Sequence, residues 1–112
     1  RDFTYIDDVT EAMIRTAQLV EGCEIINISN NREYTIKEVA KEIVNICDSR
    51  SEIVFIKPPE GRYDFEVERR FGSSEKLKEK VGFSPKTSIK MGLKKTYNFI
   101  KKEKRYTNKI YE

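Results

Sequence analysis

The stretch that decides the fold is residues 1–14, RDFTYIDDVTEAMI. An alternating Phe-Thr-Tyr-Ile run passes directly into Asp7-Asp8 and then into an apolar period of three to four residues. This pattern predicts a helix from Asp7 or Asp8 to about Val20, with Asp8 as its N-cap and Gly22 ending it. The stretch has no initiator Met and starts in the middle of a motif, so we expect the chain to be a piece of a longer protein.

Two β-branched runs, residues 24–28 and 53–56, predict short strands. Between them, a Thr35–Glu38 capping box predicts a helix that runs to about Asp48. A helix between two strands favours a right-handed βαβ crossover with parallel pairing. Because two strands alone form a poor sheet, we expect residues 24–28 to lie beside a larger sheet that this chain lacks.

The C-terminal half predicts two more helices after an irregular polar segment, residues 60–72. The first is capped by Ser73 or Ser74 and is closed by Gly82. The last begins at Thr87 or Ser88 and carries one apolar stripe, formed by Ile89, Leu93, Tyr97 and Ile100. We expect residues 104–112 to be a frayed tail.

Composition limits the classes of function. The 112 residues are 38% hydrophobic and 37% charged, which is typical of one water-exposed, helix-rich domain. No apolar run approaches the roughly 20 residues that span a bilayer, so we predict a cytoplasmic protein with no membrane partner. Cys23 and Cys47 lie in apolar contexts, which favours buried free thiols over a disulfide. The absence of His excludes Ser-His-Asp and Cys-His catalysis, and we predict no metal site.

The charge is unevenly distributed along the chain. The net charge is +3, but residues 86–112 carry nine basic and two acidic side chains, a net +7, against −4 for residues 1–85. A basic C-terminal helix admits a second interpretation, a small interaction or nucleic-acid-binding module. Since no nucleic-acid-binding motif accompanies the lysines, we favour a solvated helix face and predict no nucleic-acid partner.

Five marks, in order, resemble the C-terminal part of the NAD-dependent nucleotide-sugar epimerases and dehydratases, the extended short-chain dehydrogenase/reductase family. RDFTYIDD resembles the family's Arg-Asp-aromatic element, and residues 26–30 (INISN) resemble its Tyr-Asn-Ile-Gly strand, with Ser29 in place of Gly. Residues 59–61 resemble a Pro-x-Gly-Asp turn, with Arg62 where Asp is common. Residues 71–77 resemble a Tyr-Ala-Asp-x-Ser-Lys-Ala segment. Residues 81–87, with 91–93, resemble the closing Leu-Gly-Trp-x-Pro-x-Thr and Glu-Gly-Leu signature.

The resemblance implies an α/β fold. Residues 1–32 would be the final helix and strand of a truncated, Rossmann-like doubly wound domain, and residues 33–112 a small helical substrate-binding lobe. In the family this region closes over the nucleoside diphosphate of a sugar nucleotide. The implied partner is therefore a nucleotide-sugar, bound by the parent enzyme.

Four residues are the candidate substrate ligands that the resemblance suggests. Arg1 matches the family's phosphate-binding arginine, and Arg69 and Arg70 lie where a second such arginine is often found. Guanidinium groups suit this task because they pair with phosphate oxygens bidentately. The alternatives are a frayed terminal residue for Arg1 and a solvent-facing strand edge for the arginine pair. Asn27 either orients substrate or satisfies backbone groups at a strand end.

The chain lacks the parts that carry the family's chemistry. Its five glycines form no Gly-rich phosphate loop, so we predict no cofactor in this fragment and NAD or NADP in the parent. A Tyr97–Lys101 match to the family's Tyr-x-x-x-Lys pair comes after the RDFTYIDD element rather than before it, and we reject it. The acids Asp7 and Asp8 suit helix capping better than metal or acid–base work. We predict no catalytic residue.

An uncovered strand edge at residues 25–28 predicts self-association. We therefore expect a homo-oligomer whose contact includes residues 1–30, with the helices of residues 73–104 packed within each copy.

Overall fold

The computed structural model describes residues 1–57, 67 and 69–103. These residues form four helices: α1 (Ile6–Leu19), α2 (Ile36–Ile46), α3 (Glu75–Val81) and α4 (Ile89–Lys102). The number and order of helices are those that the sequence predicts. The predicted tail, 104–112, and most of the predicted loop, 60–72, lie outside the described residues.

Helix α1 starts at Ile6, before the Asp7 or Asp8 that the sequence predicts as its first residue. Tyr5 occupies the N-cap position and makes no side-chain cap, while Asp8 is the third helical residue and is only 7% exposed. The Asp8 Oδ2 atom accepts the backbone N–H groups of Lys86 at 3.2 Å and Thr87 at 2.8 Å. The prediction that Asp8 caps α1 is therefore wrong, because its carboxylate satisfies backbone donors from a distant segment instead.

Helix α2 begins as predicted. The Thr35 Oγ1 accepts the N–H of Glu38 at 3.1 Å, and Glu38 Oε2 accepts the N–H of Thr35 at 2.7 Å, which confirms the capping box. The same reciprocal hydrogen bonds lower the pKa of the Glu38 carboxyl, the backbone N–H of Thr35 being the largest cause. The helix ends at Ile46, two residues earlier than the predicted Asp48.

Of the two C-terminal helices, α4 has a side-chain N-cap and α3 does not. Ser88 caps α4 by accepting the N–H of Met91 at 3.3 Å. Ser74 occupies the N-cap position of α3 but makes no side-chain cap there. At the other end of α3, Gly82 adopts a left-handed φ of 65° and donates its N–H to the carbonyl of Lys78 at 2.9 Å. The predicted stop at Gly82 is confirmed.

Neither predicted strand forms within the described part of the chain. Residues 24–28 and 53–56 have no ladder partner, and the β-type pairing there is one isolated antiparallel bridge between Asp2 and Glu33. The βαβ crossover is therefore also absent from the described residues. A strand needs a neighbouring strand to supply its hydrogen bonds, and none of the residues that the structure describes provides one for either run.

Segment 24–28 packs along helix α3 instead. Glu24 receives Lys76 Nζ at 2.6 Å and Lys80 Nζ at 3.1 Å, and Lys76 also donates to the carbonyl of Ile25 at 2.8 Å. The hydrogen bonds from these two lysines lower the pKa of Glu24. Ile26 and Ile28 turn toward the core while Ile25 remains 85% exposed.

The helices pack in two pairs, α1 on α3 and α2 on α4. The buried apolar centre, formed by Ala12, Leu77 and Val81, lies between α1 and α3. Both cysteines are free, as predicted, but Cys23 is exposed and Cys47 only half-buried, so their predicted burial is wrong. Among the described helices, none has the length and apolar character that a membrane span requires.

Candidate functional site

Three separate segments meet at the N-terminus of the chain. The N–H of Tyr34 donates to the carbonyl of Arg1 at 2.9 Å, and the amine of Arg1 donates back to the carbonyl of Tyr34 at 2.8 Å. On the other side, the N–H of Asp2 donates to the carbonyl of Arg70 at 3.1 Å. Residues 1–2 therefore lie between residues 33–34 and residues 69–70, and this brings Arg1, far apart in sequence from the arginine pair, next to it.

An open groove of about 600 Å³ lies beside this junction. Three of the four predicted ligands, Asn27, Arg69 and Arg70, line it. The side chains of Asn27 and Arg70 are exposed there, and within the described residues the Arg70 guanidinium makes neither an ion pair nor a hydrogen bond. The structure thus brings together residues that are more than 40 positions apart in sequence.

Arg1, the fourth predicted ligand, lies next to the groove rather than in its lining. Its Nη1 donates to the carbonyl of Val67 at 2.9 Å. Its positive charge also acts on Glu33, adding to the larger effect of Arg69 in lowering the pKa of that carboxyl. Arg1 and Arg69 therefore share the neighbourhood of one carboxylate.

The Arg69 guanidinium makes several contacts at the groove. Its Nε lies 3.1 Å from both carboxylate oxygens of Glu33, and its Nη2 lies 2.6 Å from Oε2. These hydrogen bonds lower the pKa of Glu33 and raise that of Arg69. The Arg69 Cζ atom also lies 5.4 Å from the centre of the Phe71 ring, a cation–π distance.

The Asp2 side chain holds one wall of the groove in place through hydrogen bonds. In the sequence, Asp2 was noted as part of the RDFTYIDD motif and not as a site residue. One oxygen of its carboxylate accepts the Ser29 hydroxyl in a short hydrogen bond, and the other accepts the N–H of Asn30 at 3.1 Å. The Asn30 side-chain amide in turn donates to the carbonyls of Phe3 at 3.4 Å and Thr87 at 3.2 Å. Asp2 therefore anchors the segment that carries Asn27.

Ser29 and Ser74 form the buried link between that segment and α3. They are 5% and 1% exposed. The N–H of Ser29 donates to Ser74 Oγ at 2.7 Å, and Ser74 Oγ donates to the carbonyl of Ser29 at 2.5 Å. Because the Ser74 hydroxyl is hydrogen-bonded to the backbone of Ser29, it does not cap α3. Sequence reasoning missed this pair because its members are 45 positions apart.

Gly72 lines the groove where the backbone approaches Ser29. A Cβ at position 72 would lie 3.2 Å from the Ser29 Cβ, closer than side chains normally pack. The other glycines among the described residues, Gly22, Gly82 and Gly92, follow helices or lie within one. Within the described residues these four glycines are widely spaced and do not form one Gly-rich turn, and the absence of a cofactor from this fragment stays a prediction.

Tyr97 and Lys101 lie one turn apart on α4. The Lys101 Nζ atom is 5.7 Å from the centre of the Tyr97 ring, over its face. This placement is a cation–π contact on a helix surface. It belongs to the α2–α4 side of the chain, away from the groove, whose lining includes neither residue.

Comparison with known proteins identifies the class. The chain is 38% identical over 104 residues to a UDP-N-acetyl-alpha-D-glucosaminuronate decarboxylase of Bacillus cytotoxicus, covering 90% of this chain and 32% of that protein. Among solved structures, UDP-glucose 4-epimerase of Thermotoga maritima with UDP-glucose superposes with a TM-score of 0.80 at 32% identity, over 91% of this chain and 31% of that one. The Bordetella bronchiseptica enzyme WbmF in complex with NAD⁺ and UDP gives 0.75 at 32% identity, over 91% and 30%.

By their names, these neighbours are a nucleotide-sugar decarboxylase, a nucleotide-sugar epimerase and an enzyme solved with NAD⁺ and UDP. They support the family read from the sequence, the NAD-dependent nucleotide-sugar epimerases and dehydratases of the extended short-chain dehydrogenase/reductase class. Residues 1–96 match the family described as GDP-mannose 4,6 dehydratase, and the chain belongs to that family. The resemblance noted in the sequence is thereby confirmed. The chain spans about a third of the length of the relatives it matches.

Proposed function

We propose that this chain is the C-terminal substrate-binding region of a nucleotide-sugar epimerase or dehydratase, and that it grips the nucleoside diphosphate of the sugar nucleotide. The division proposed within it assigns residues 1–32 to the end of the dinucleotide-binding domain and residues 33–112 to the substrate lobe. The cofactor, NAD or NADP, and the catalytic groups belong to the rest of the enzyme.

The observation that carries the proposal is the convergence of basic side chains on one open groove. Arg69 and Arg70 line the groove, and Arg1 directly precedes Asp2, which lines it as well. A pyrophosphate carries about two negative charges, and guanidinium groups bind its oxygens in charge-assisted pairs. Asn27 adds an exposed amide, with both donor and acceptor capacity, to the same surface.

Two relatives support the choice of ligand. The Thermotoga maritima structure holds UDP-glucose and the WbmF structure holds UDP. Both carry a uridine diphosphate group, which is the part of a sugar nucleotide that a cluster of arginines would recognise. By this reasoning the diphosphate, and not the sugar, is the ligand portion that the groove binds.

Titration of the 112-residue chain with UDP, GDP and inorganic pyrophosphate tests the proposal. Arg70→Ala should weaken binding about tenfold or more, the usual worth of a charge-assisted contact. Arg50→Ala is the matched control, because Arg50 is an exposed arginine outside the groove. Absence of binding by the unmodified chain, or an equal loss in the control, would contradict the proposal.

Two further titrations separate the alternatives. NAD and NADP should show no micromolar affinity for the chain, since no Gly-rich turn presents a helix N-terminus to their pyrophosphate. Random-sequence DNA tests the basic-module interpretation: an affinity that falls steeply between about 50 mM and 200 mM salt would favour it. In the structure, two lysines of α4 already pair with acids, Lys90 with Glu42 at 3.8 Å and Lys95 with Asp7 at 3.4 Å.

A further inference from the structure

The guanidinium of Arg69 is held on two sides. Glu33 binds it along one edge, through Nε and Nη2, at 2.6 to 3.1 Å. On the other side, the Arg69 Cζ atom lies over the Phe71 ring, 5.4 Å from the ring centre. The Arg69 side chain is nevertheless 70% exposed, whereas that of Glu33 is 30% exposed. An exposed arginine with no such contacts would sample many rotamers, so these two neighbours restrict it.

The contact with Glu33 leaves some of the N–H donors of the Arg69 guanidinium available to a ligand. A guanidinium has five N–H groups, and the Glu33 carboxylate takes the one on Nε and one on Nη2. The remaining three, two on Nη1 and one on Nη2, make no hydrogen bond within the described part of the chain, and one from each Nη forms the end-on fork. An end-on fork of this kind matches two oxygens of a phosphate group.

Glu33 itself is placed by backbone pairing and not by chance contact. It forms the isolated antiparallel bridge with Asp2, and its neighbour Tyr34 exchanges hydrogen bonds with Arg1 on the same junction. The carboxylate is thereby fixed to the segment that builds the groove wall. Its negative charge is balanced by Arg69 and is also acted on by Arg1.

We propose that Glu33 is a positioning residue: it fixes the Arg69 guanidinium against Phe71 so that the end-on fork binds the diphosphate of the substrate. This inference rests on the proposed function and adds to it a residue that does not touch the ligand. Because the rotamers of a long side chain are restricted before the anion arrives, the ordering entropy lost on binding is smaller.

The opposite role for Glu33 is competition. A carboxylate that occupies Arg69 in the free chain and must leave before phosphate binds would weaken binding. The side-on geometry distinguishes the two roles, because positioning leaves the end-on fork to the ligand while competition requires the same N–H groups. Removing the charge at Glu33 therefore has opposite effects under the two roles.

The experiment compares Glu33→Gln with the unmodified 112-residue chain in titrations with UDP and with inorganic pyrophosphate. We expect about threefold to tenfold weaker binding of both probes, the range for loss of one orienting hydrogen-bonded contact. In an Arg69→Ala background the same substitution should have no further effect. The control is Glu42→Gln, which removes a glutamate of similar exposure, 27%, paired with Lys90 away from the groove; it should leave both affinities unchanged.

A second measurement needs no ligand. The Nε–H of Arg69 should give a sharp, slowly exchanging NMR signal that is lost in Glu33→Gln and kept in Glu42→Gln. A rapidly exchanging signal in the unmodified chain would overturn the positioning role, since the guanidinium would not be fixed. The dispersion of the backbone amide signals in the same spectra checks that a loss of affinity does not reflect unfolding.

The binding results separate this inference from the proposed function. Unchanged or stronger binding by Glu33→Gln overturns the positioning role while leaving the groove's function intact. No binding of either probe by the unmodified chain overturns the proposed function, and the positioning role with it. Weaker binding that is additive with Arg69→Ala also overturns the positioning role, because Glu33 would then act independently of Arg69.

Discussion

The carboxylate of Asp8, in the first turn of α1, accepts the backbone N–H of Thr87 at 2.8 Å, 79 positions further along the chain. It accepts Lys86 N–H as well, at 3.2 Å. Thr87 directly precedes Ser88, the N-cap of α4. One buried acid therefore connects the start of the first helix to the start of the last.

This connection predicts the stability of Asp8 variants. Asp8→Ala leaves two backbone N–H groups without their acceptor in a largely buried place, so we expect a loss of about 2–3 kcal/mol in the free energy of unfolding. Asp7→Ala should lose less than about 1 kcal/mol, because Asp7 is exposed and its ion pair among the described residues, with Lys95, lies on the surface. Urea unfolding followed by circular dichroism measures both, and equal losses would contradict the anchoring role of Asp8.

Gly92 gives a prediction in which packing opposes helix propensity. It lies within α4, where Ala is favoured over Gly by about 1 kcal/mol, yet a Cβ there would lie 3.1 Å from Cδ2 of Tyr5. We expect Gly92→Ala to destabilise the chain by about 1–2 kcal/mol. In a Tyr5→Ala background the same change should become stabilising. A stabilising effect in both backgrounds would show that Tyr5 yields without cost.

The capping box of α2 predicts how Glu38 titrates. Its pKa is lowered by the hydrogen bonds from Thr35, so its stabilising contribution is present above its unfolded pKa, about 4.3, and is lost as the pH falls through the lower folded value. NMR detection of the Glu38 carboxyl carbon should give a midpoint below that reference value. Thr35→Ala should return the midpoint toward it; an unaltered midpoint would mean that the box does not hold the charged form.

Arg1 is predicted to bind phosphate in the complete enzyme. Arg1→Ala in an active enzyme that contains this chain should weaken nucleotide-sugar binding by about 1.5–3 kcal/mol. The effect should appear in KM with kcat little changed, because a phosphate remote from the reacting carbon is bound alike in the ground and transition states. A loss confined to kcat, or an unchanged KM, would exclude Arg1 as a phosphate ligand.

The exposed apolar side chains of the first thirty residues predict self-association. Ile6, Met13 and Ile25 are 64%, 61% and 85% exposed. Surfaces of this kind pair with other chains. We expect light scattering to show a dimer or larger oligomer, and Ile25→Lys to shift it toward the monomer while Ile56→Lys, a substitution at an equally exposed isoleucine elsewhere, does not. A monomer at high micromolar concentration would contradict this prediction.

The sequence by itself determined the number and order of the helices and three of their ends. The Thr35–Glu38 box, the Ser88 cap and the Gly82 stop were all predicted, because each depends on residues within one turn of each other. The family was likewise predicted from the sequence, because its five motifs occur in the expected order along the chain. The four candidate ligands were named in the same way, but nothing in the sequence places Arg1 beside Arg69.

Only the tertiary structure decided the rest, because the deciding partners are distant in the chain. The runs 24–28 and 53–56 have the composition of strands but form none within the described residues, since a strand exists only when another strand supplies its hydrogen bonds. The sequence around Asp8 predicts an N-cap, but in the fold its carboxylate accepts the N–H of Thr87. In the same way, the predicted cap Ser74 accepts the N–H of Ser29. A side chain bonds to whichever backbone group the fold brings within hydrogen-bonding distance. The residues next to it in the sequence do not determine which group that is.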